Sequence, residues 1–242
     1  MNIRQIEIKV DGQTIRGNIY EAEDSNEDIG FIFIHGWTGL PNEDAAAILA
    51  NNGFTSMTIS LRGHNNSDGD INVVSRQDSL KDAVVAYDFF KSKEPKITRV
   101  GLIGNSYGGY TAALLSTERS IDCLSLRVPA GYPDEGFNEP QMGHGNDDPF
   151  VLKWRIQATA FADNIAYKAI HNFAGNIQII EAEHDNQVHT QTVKNYVNAI
   201  SNIDQLEYHM MKDWPHSLGR DPKRNKEFQE ILLAWVNKQT KD

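Results

Sequence analysis

The chain has 242 residues, of which 40% are hydrophobic and 23% are charged, a composition typical of a globular protein with a sizeable core. Acidic residues outnumber basic ones by 33 to 23, which gives a formal net charge of −10. Nucleic acids and anionic membranes attract cationic surfaces, so this acidic balance disfavours both as partners.

The N-terminus alternates apolar and polar residues and lacks the continuous apolar segment of a signal peptide. No apolar run approaches the ~18 residues that a membrane-spanning helix needs. The single cysteine, Cys123, lies in an apolar run and is predicted to be a buried thiol without a disulfide partner. These features predict a cytoplasmic protein.

Strand and helix patterns alternate along most of the chain. Residues 3–10 and 14–21 flank Asp11-Gly12, a dipeptide typical of tight hairpins. Residues 30–34 form an apolar run typical of a strand buried on both faces. Further strands are predicted over 55–60, 98–103, 121–128, 177–182 and 205–211, and helices over 43–52, 76–92, 107–118, 190–200 and 222–238. The alternation predicts one α/β domain over 1–242, with a mostly parallel central sheet, helices on both faces and an N-terminal antiparallel hairpin.

Residues 129–171 interrupt this alternation, with helical spacing only from about Val151 to Ile170. Ligands of such sheets bind beyond the carboxyl ends of the strands, so this insertion is predicted to form a short lid there. Its aromatic residues Tyr132, Phe137 and Trp154 are predicted to contact substrate as apolar pocket walls. The alternative is that they pack the insertion against the body of the domain.

The segment Gly104-Asn105-Ser106-Tyr107-Gly108 has the pattern of a nucleophile elbow, a sharp strand-to-helix turn that exposes a serine. The glycines permit the close turn, and the helix N-terminus favours negative charge. The pattern alone is weak, because any Gly/Ser turn produces it. A serine nucleophile also needs a base and a group that orients the base.

Candidates for both partners follow later strands in the order acid, then histidine. Asp185 comes just after strand 177–182 and His216 just after strand 205–211. Glu183 and Asp134 are the alternative acids. His35 and His64 precede the serine, and His209 falls inside a strand, so all three are disfavoured as the base. His184 and His189 flank the acid without further convergent ligands, so neither a metal nor another cofactor is predicted. Two backbone N–H groups, those of Trp37 and Tyr107, are predicted to form an oxyanion hole.

As a set, these residues resemble the α/β-hydrolase superfamily over essentially the whole chain. The matching segments are His35-Gly36-Trp37, Arg62-Gly63-His64, Ser67-Asp68-Gly69, the elbow from Gly104 to Gly109, Asp185 with Val188, and His216. Asn65 stands where a glycine is often found, a loop variation away from the triad. The small size and short insertion resemble single-domain esterases and serine-aminopeptidase-like hydrolases.

The resemblance implies a Ser106–His216–Asp185 triad and a serine hydrolase, with a carboxylesterase acting on a small ester as the leading prediction. Amide, peptide, thioester or lactone hydrolysis, a perhydrolase and a C–C bond hydrolase are alternatives on the same scaffold. A hydrolase-fold protein that binds small molecules without turnover is a further alternative. The predicted partner is a small-molecule substrate, and the sequence does not predict an oligomeric state.

Overall fold

The computed structural model describes residues 1–23, 27–145, 147–219 and 221–240. Its strands are β1 (Asn2–Val10), β2 (Gln13–Glu21), β3 (Ile29–Ile34), β4 (Ser56–Ser60), β5 (Arg99–Asn105), β6 (Cys123–Arg127), β7 (Asn176–His184) and β8 (Leu206–Pro215). Its helices are α1 (Glu43–Asn51), α2 (Arg76–Lys93), α3 (Tyr107–Glu118), α4 (Pro149–Arg155), α5 (Ile165–Asn172), α6 (Thr190–Ala199) and α7 (Pro222–Val236).

All eight strands form one sheet in the order β1-β2-β4-β3-β5-β6-β7-β8. β1 and β2 pair antiparallel, β2 pairs antiparallel with β4, and every pair from β4 to β8 is parallel. The hairpin turns at Asp11 and Gly12, whose φ angles of 48° and 80° give the twist that a tight antiparallel hairpin requires. The predicted fold class is confirmed, and the carboxyl ends of β3 to β8 meet at one edge of the sheet.

Helices cover both faces of the sheet. α1 and α7 pack on one face with the aromatic side chains of β3, Phe31 and Phe33. α2, α3, α5 and α6 pack on the other face against the opposite side chains of the same strands, such as Ile32. All six residues of β3 are buried, as its apolar run predicts. Burial on both faces holds the central strands rigidly, and the loops at their carboxyl ends are therefore well positioned for a site.

The helical spacing from Val151 to Ile170 belongs to two helices rather than one. Asp148 caps α4 by accepting a hydrogen bond from the N–H of Phe150, and Asn164 caps α5 by accepting one from the N–H of Tyr167. A short 3-10 turn, Phe161–Asp163, separates them. Two capping residues, one just before the segment and one within it, start two helices, and a periodicity count alone does not detect them.

Two further expectations concern burial. Cys123 is a buried free thiol on β6, as predicted, and burial raises the pKa of its thiol to about 12. Across the described ranges, none of the helices has the length and apolar character to cross a bilayer.

Candidate active site

Ser106 occupies a strained turn between β5 and α3. Its φ of 53° lies in the left-handed region, which side chains other than glycine rarely adopt. A Cβ at Gly104 would lie 2.5 Å from the carbonyl oxygen of Gly108, and one at Gly108 would lie 2.0 Å from that of Ile34. Both glycines are therefore sterically required. The predicted elbow is present, with Ser106 at the N-terminus of α3.

The backbone of Ser106 is held by the neighbouring strand. Its N–H donates to the carbonyl oxygen of Arg127 (2.9 Å), and its own carbonyl accepts from the N–H groups of Gly109 (2.9 Å) and Ala130 (3.0 Å). These bonds connect the elbow to the end of β6 and to the residues just after it. The strained conformation is thus held by hydrogen bonds to the adjoining strand end and within the first turn of α3.

His216 and Asp185 meet beyond the ends of β8 and β7. The imidazole Nδ1 lies 2.8 Å from Asp185 Oδ2 and 3.0 Å from Oδ1, and both side chains are less than a tenth exposed. Asp185 Oδ1 also accepts the N–H groups of Gln187 (2.8 Å) and Val188 (2.7 Å). The carboxylate is thereby fixed in place. Because Nδ1 faces it, the proton belongs on Nδ1, and Nε2 is left as a base.

Ser106 and His216 line the same cleft, which has a volume of about 980 Å³. The walls come from β1 and β2, from the loops that follow β3 and β4, and from the segment between β8 and α7. Ser106 Oγ donates no hydrogen bond to His216 within the described structure. Such bonds are often long in a ligand-free enzyme and shorten when substrate binds.

The loop after β3 passes close to the serine. A Cβ at Gly36 would lie 3.4 Å from Ser106 Cβ, so the backbone of this loop runs in van der Waals contact with the elbow. Trp37 follows at once and lines the cleft, while its ring packs edge-on against Tyr107, with ring centroids 5.0 Å apart. Tyr107 is the first residue of α3, where an N–H has no intrahelical partner. The two predicted oxyanion donors therefore belong to adjacent backbone segments beside Ser106.

His35, disfavoured as a base, supports this loop instead. Its Nδ1 lies 2.7 Å from the carbonyl oxygen of Gly36, and its Nε2 accepts the N–H of Leu61 at 3.1 Å. Burial lowers the pKa of His35 to about 4, so the ring is neutral at physiological pH. The His64 ring lies beside it, with centroids 5.0 Å apart, and burial lowers its pKa as well. In the sequence, the His35-Gly36 dipeptide was the feature that indicated a tight turn at this loop.

The sequence analysis did not predict that Asn42 and Asn105 line the cleft. Asn105 donates through Nδ2 to Asn42 Oδ1 (2.9 Å), and both residues line the cleft. In the described structure, Asn42 Nδ2 and Asn105 Oδ1 are buried without hydrogen-bond partners. Arg127, named from the sequence only as one of several polar residues near the insertion, also lines the cleft. No motif marks Asn42 or Arg127, because one comes from a loop and the other from a strand end.

The residues predicted to contact substrate lie elsewhere. Tyr132 is buried beneath two guanidinium groups, whose central carbons lie 5.3 Å (Arg76) and 4.6 Å (Arg155) from its ring centroid. Phe137 lies beneath Arg76 at 5.9 Å, and Trp154 stacks on Tyr167 with centroids 6.0 Å apart.

None of Tyr132, Phe137 and Trp154 is among the described residues that line the cleft, and neither is any other described residue of 129–171. These aromatic side chains pack the insertion against the body, the alternative that the sequence left open. Their contact with substrate and the lid role of the insertion stay predictions.

The alternative acids have other partners. Asp134 Oδ1 accepts from Asn164 Nδ2 (2.8 Å) and from the N–H of Ile165 (3.1 Å) at the start of α5. Glu183 Oε2 accepts the N–H of Asp213 (2.9 Å). Among the described residues, one group has metal-ligand spacing, formed by Glu183, His184 and Asp213, and all three side chains are exposed. Of the three candidate acids, Asp185 is the one hydrogen-bonded to His216.

Comparison with solved structures identifies the fold. Est1E from Butyrivibrio proteoclasticus, solved with bound ferulic acid, superposes with a TM-score of 0.73 at 17% identity, covering 96% of this chain and 99% of that one. An α/β serine hydrolase homologue from Coxiella burnetii gives 0.70 at 18% identity, with 96% of each chain covered. XC6422 from Xanthomonas campestris, described as an α/β serine hydrolase without a lid, gives 0.71 at 14% identity, covering 99% and 96%.

Sequence comparison identifies the family. No curated protein matches the chain at a significant level. The profile of the prolyl oligopeptidase family matches residues 43–242, a range that includes the elbow and both residues of the His216–Asp185 pair. The chain therefore belongs to the prolyl oligopeptidase family and has the α/β serine hydrolase fold.

Proposed function

We propose that the protein is a serine hydrolase in which Ser106 is the nucleophile, His216 the general base and Asp185 the group that orients the base. The observation that carries the proposal is the hydrogen bond between His216 Nδ1 and Asp185 (2.8 Å), made at the cleft that Ser106 also lines. A neutral imidazole fixed through Nδ1 presents Nε2 to a hydroxyl proton. The strained turn at Ser106 exposes that hydroxyl.

The reaction proceeds through an acyl-enzyme. Ser106 Oγ attacks the substrate carbonyl while His216 Nε2 takes its proton, and the N–H groups of Trp37 and Tyr107 donate to the oxyanion. His216 then protonates the leaving group, and the C–O or C–N bond breaks. A water molecule, deprotonated by His216, attacks the acyl-enzyme and releases the acid, which restores the Ser106 hydroxyl.

The leading substrate class is a small ester, which makes the protein a carboxylesterase. The likeness to Est1E, which binds ferulic acid, supports this class, and the open cleft admits a small ester. A peptide or amide substrate is the second candidate, and membership of the prolyl oligopeptidase family favours it. Thioesters and lactones react by the same steps. His216 must protonate an alcohol in an ester substrate and an amine in an amide substrate. Cleavage of the amide depends more strongly on this protonation than cleavage of the ester.

A Ser106→Ala variant tests the proposal. We expect hydrolysis of p-nitrophenyl butyrate to fall to background, labelling by a fluorophosphonate probe to be lost and the melting temperature to stay within a few degrees of wild type. Ser116→Ala, on the same helix but outside the cleft, is the matched control and should keep both activity and labelling. A wild-type protein that takes no label would contradict the proposal and favour a non-catalytic binding protein. Peptide p-nitroanilides assayed alongside the ester separate the two substrate classes.

A further inference from the structure

Arg127 is a buried cation at the bottom of the candidate active-site cleft. It ends β6, where it pairs with Asn105 of β5, and its side chain is only 8% exposed. The guanidinium lies over the ring of Phe228 on α7, with its central carbon 5.8 Å from the ring centroid. The residue lines the cleft together with Ser106 and His216. A positive charge is thus held next to the proposed nucleophile and base.

Most of its hydrogen-bonding capacity is unused. A guanidinium carries five N–H groups. In Arg127, Nη1 donates to the carbonyl oxygen of His216 at 2.9 Å, whereas Nε is buried without a partner in the described structure. Among the described residues, no acceptor is hydrogen-bonded to Nη2, and no carboxylate forms an ion pair with this guanidinium. Three N–H groups on Nε and Nη2 are therefore left to be satisfied.

Two other arginines, Arg62 and Arg16, have carboxylate partners. Arg62 is equally buried and lies 2.6 Å from Asp82. Arg16 also lines the cleft, and it lies 2.9 Å from Glu7 and 2.8 Å from Asp68. An unpaired charge in the interior is costly, since burial removes its hydration without a compensating ion pair. Arg127 has no carboxylate partner among the described residues and lines the cleft, so a ligand bound in the cleft can supply one.

Among the described carboxylates, that of Asp185 acts on the Arg127 charge, and it is already engaged. Asp185 attracts the Arg127 charge at a distance, but its oxygens accept hydrogen bonds from His216 and from the N–H groups of Gln187 and Val188. Burial lowers the pKa of Arg127 to about 10, which still leaves the guanidinium charged at neutral pH. The cation at the cleft floor is therefore permanent under ordinary conditions, and Asp185 leaves its free N–H groups unoccupied.

We propose that Arg127 is a specificity-determining residue that binds a carboxylate of the substrate, so the preferred substrates are esters or amides of which one half carries a carboxylate. This inference rests on the proposed hydrolase function. A guanidinium matches a carboxylate in geometry, and charge-assisted hydrogen bonds in a partly desolvated cleft are strong. The competing role for Arg127 is to hold the His216 loop through its Nη1 bond, which would affect all substrates equally.

Two matched pairs of substrates distinguish these roles. The first pair, p-nitrophenyl hemiadipate and p-nitrophenyl heptanoate, differs by a carboxylate on the acyl half. The second pair, 4-acetoxybenzoate and 4-acetoxybenzamide, differs by a carboxylate on the leaving group. The measured quantity is the ratio of kcat/KM between the charged and the neutral member, at low ionic strength and after subtraction of spontaneous hydrolysis. Because each ratio compares two substrates of one enzyme, it does not depend on the fraction of active protein.

We expect wild type to favour the charged member of at least one pair by about tenfold or more, the size of a charged hydrogen bond. Arg127→Gln should bring that ratio close to one, and Arg127→Lys should retain part of the preference. Arg119→Gln is the control, since it removes a cation that is paired with Asp88 and does not line the cleft. Its ratios should equal those of wild type.

Three results would overturn the inference. One is a wild-type enzyme without preference in either pair, which needs no variant and so does not depend on the folding of Arg127→Gln. Another is a fall in kcat/KM of Arg127→Gln that is equal for both members of a pair, which would show that Arg127 only holds the His216 loop in place. The third is an equal change of the ratios in Arg119→Gln. Retained labelling of Ser106 with any of these results would leave the proposed hydrolase function intact.

Discussion

Two regions near the carboxyl edge of the sheet contain buried arginines in opposite roles. In the arginine–aromatic cluster (Arg76, Tyr110, Tyr132, Phe137 and Arg155), Arg76 donates to the carbonyl oxygens of Pro133 (2.6 Å) and Glu135 (2.5 Å) and lies over three aromatic rings. In the cleft, Arg127 makes one such bond and keeps its other N–H groups unpaired among described residues. The cluster uses its cations to close a packing contact, whereas the cleft keeps one available.

The same contrast holds for two carboxylates. Asp134 and Asp185 both follow strands of the sheet, and both accept backbone N–H groups. Asp134 accepts a hydrogen bond from Asn164, the residue that caps α5, whereas Asp185 accepts one from Nδ1 of His216. A position after a strand therefore does not by itself bring an acid into contact with the proposed base. The second contact decides the role, and isosteric substitutions at the two sites can test this directly.

The largest expected effect is that of Asp185→Asn. The amide keeps the shape of the side chain but presents a donor to Nδ1, which selects the wrong tautomer of His216. We expect kcat for p-nitrophenyl butyrate to fall by about 10⁴-fold, as in other triads. Steady-state kinetics with active-site titration measure the loss, and circular dichroism checks the fold. A fall of less than about tenfold would remove Asp185 from the triad.

Next in size is the loss of stability in Tyr132→Ala, a probe of the arginine–aromatic cluster. The substitution leaves a cavity beneath Arg76 and Arg155 and should lower the free energy of unfolding by about 3–5 kcal/mol. Urea denaturation measures the loss, and Tyr132→Phe, which keeps the ring, is the control. We expect kcat/KM of the folded protein to change by no more than about twofold, since Tyr132 does not line the cleft. A specific rise in KM would restore the prediction that this residue contacts substrate.

The pH dependence of stability tests how His35 supports the loop after β3. The pKa of His35 is about 4 in the folded protein against an ordinary value of 6.5, so the unfolded chain binds more protons between these values. The resulting stability is fully present above pH 6.5 and is lost as the pH falls through 4. It amounts to about 3 kcal/mol. Urea denaturation between pH 7 and pH 4 should therefore show a steeper loss in wild type than in His35→Gln. Parallel curves would contradict the burial of a neutral ring.

The smallest effect is expected for Asp134→Asn. The amide oxygen can still accept from Asn164 and the N–H of Ile165, so the free energy of unfolding should change by less than about 1 kcal/mol. Activity toward p-nitrophenyl butyrate should equal that of wild type. A loss comparable to that of Asp185→Asn would make Asp134 the acid of the triad, the alternative that the sequence analysis left open.

Much of the fold was predictable because patterns of a few neighbouring residues determine it. The alternation of short apolar strands with amphipathic helices gave the order of elements, and Asp11-Gly12 marked the hairpin. The division of the segment from Val151 to Ile170 into α4 and α5 was not predicted, since a 3-10 turn and the capping side chain of Asn164 interrupt the helical period. The cleft residues Asn42 and Arg127 carry no local signal, because their roles depend on contacts with distant segments.

By itself, the sequence determined the elbow at Ser106 and the positions of Asp185 and His216 at the ends of their strands. Steric demands on glycine and the order of strands act over a few residues, so a linear pattern can express them. Only the tertiary structure decided that Asp185 contacts His216, that the aromatic side chains of 129–171 pack away from the cleft, and that Arg127 lies within it. Each of these depends on which segments meet in space, and packing over the whole sheet fixes that.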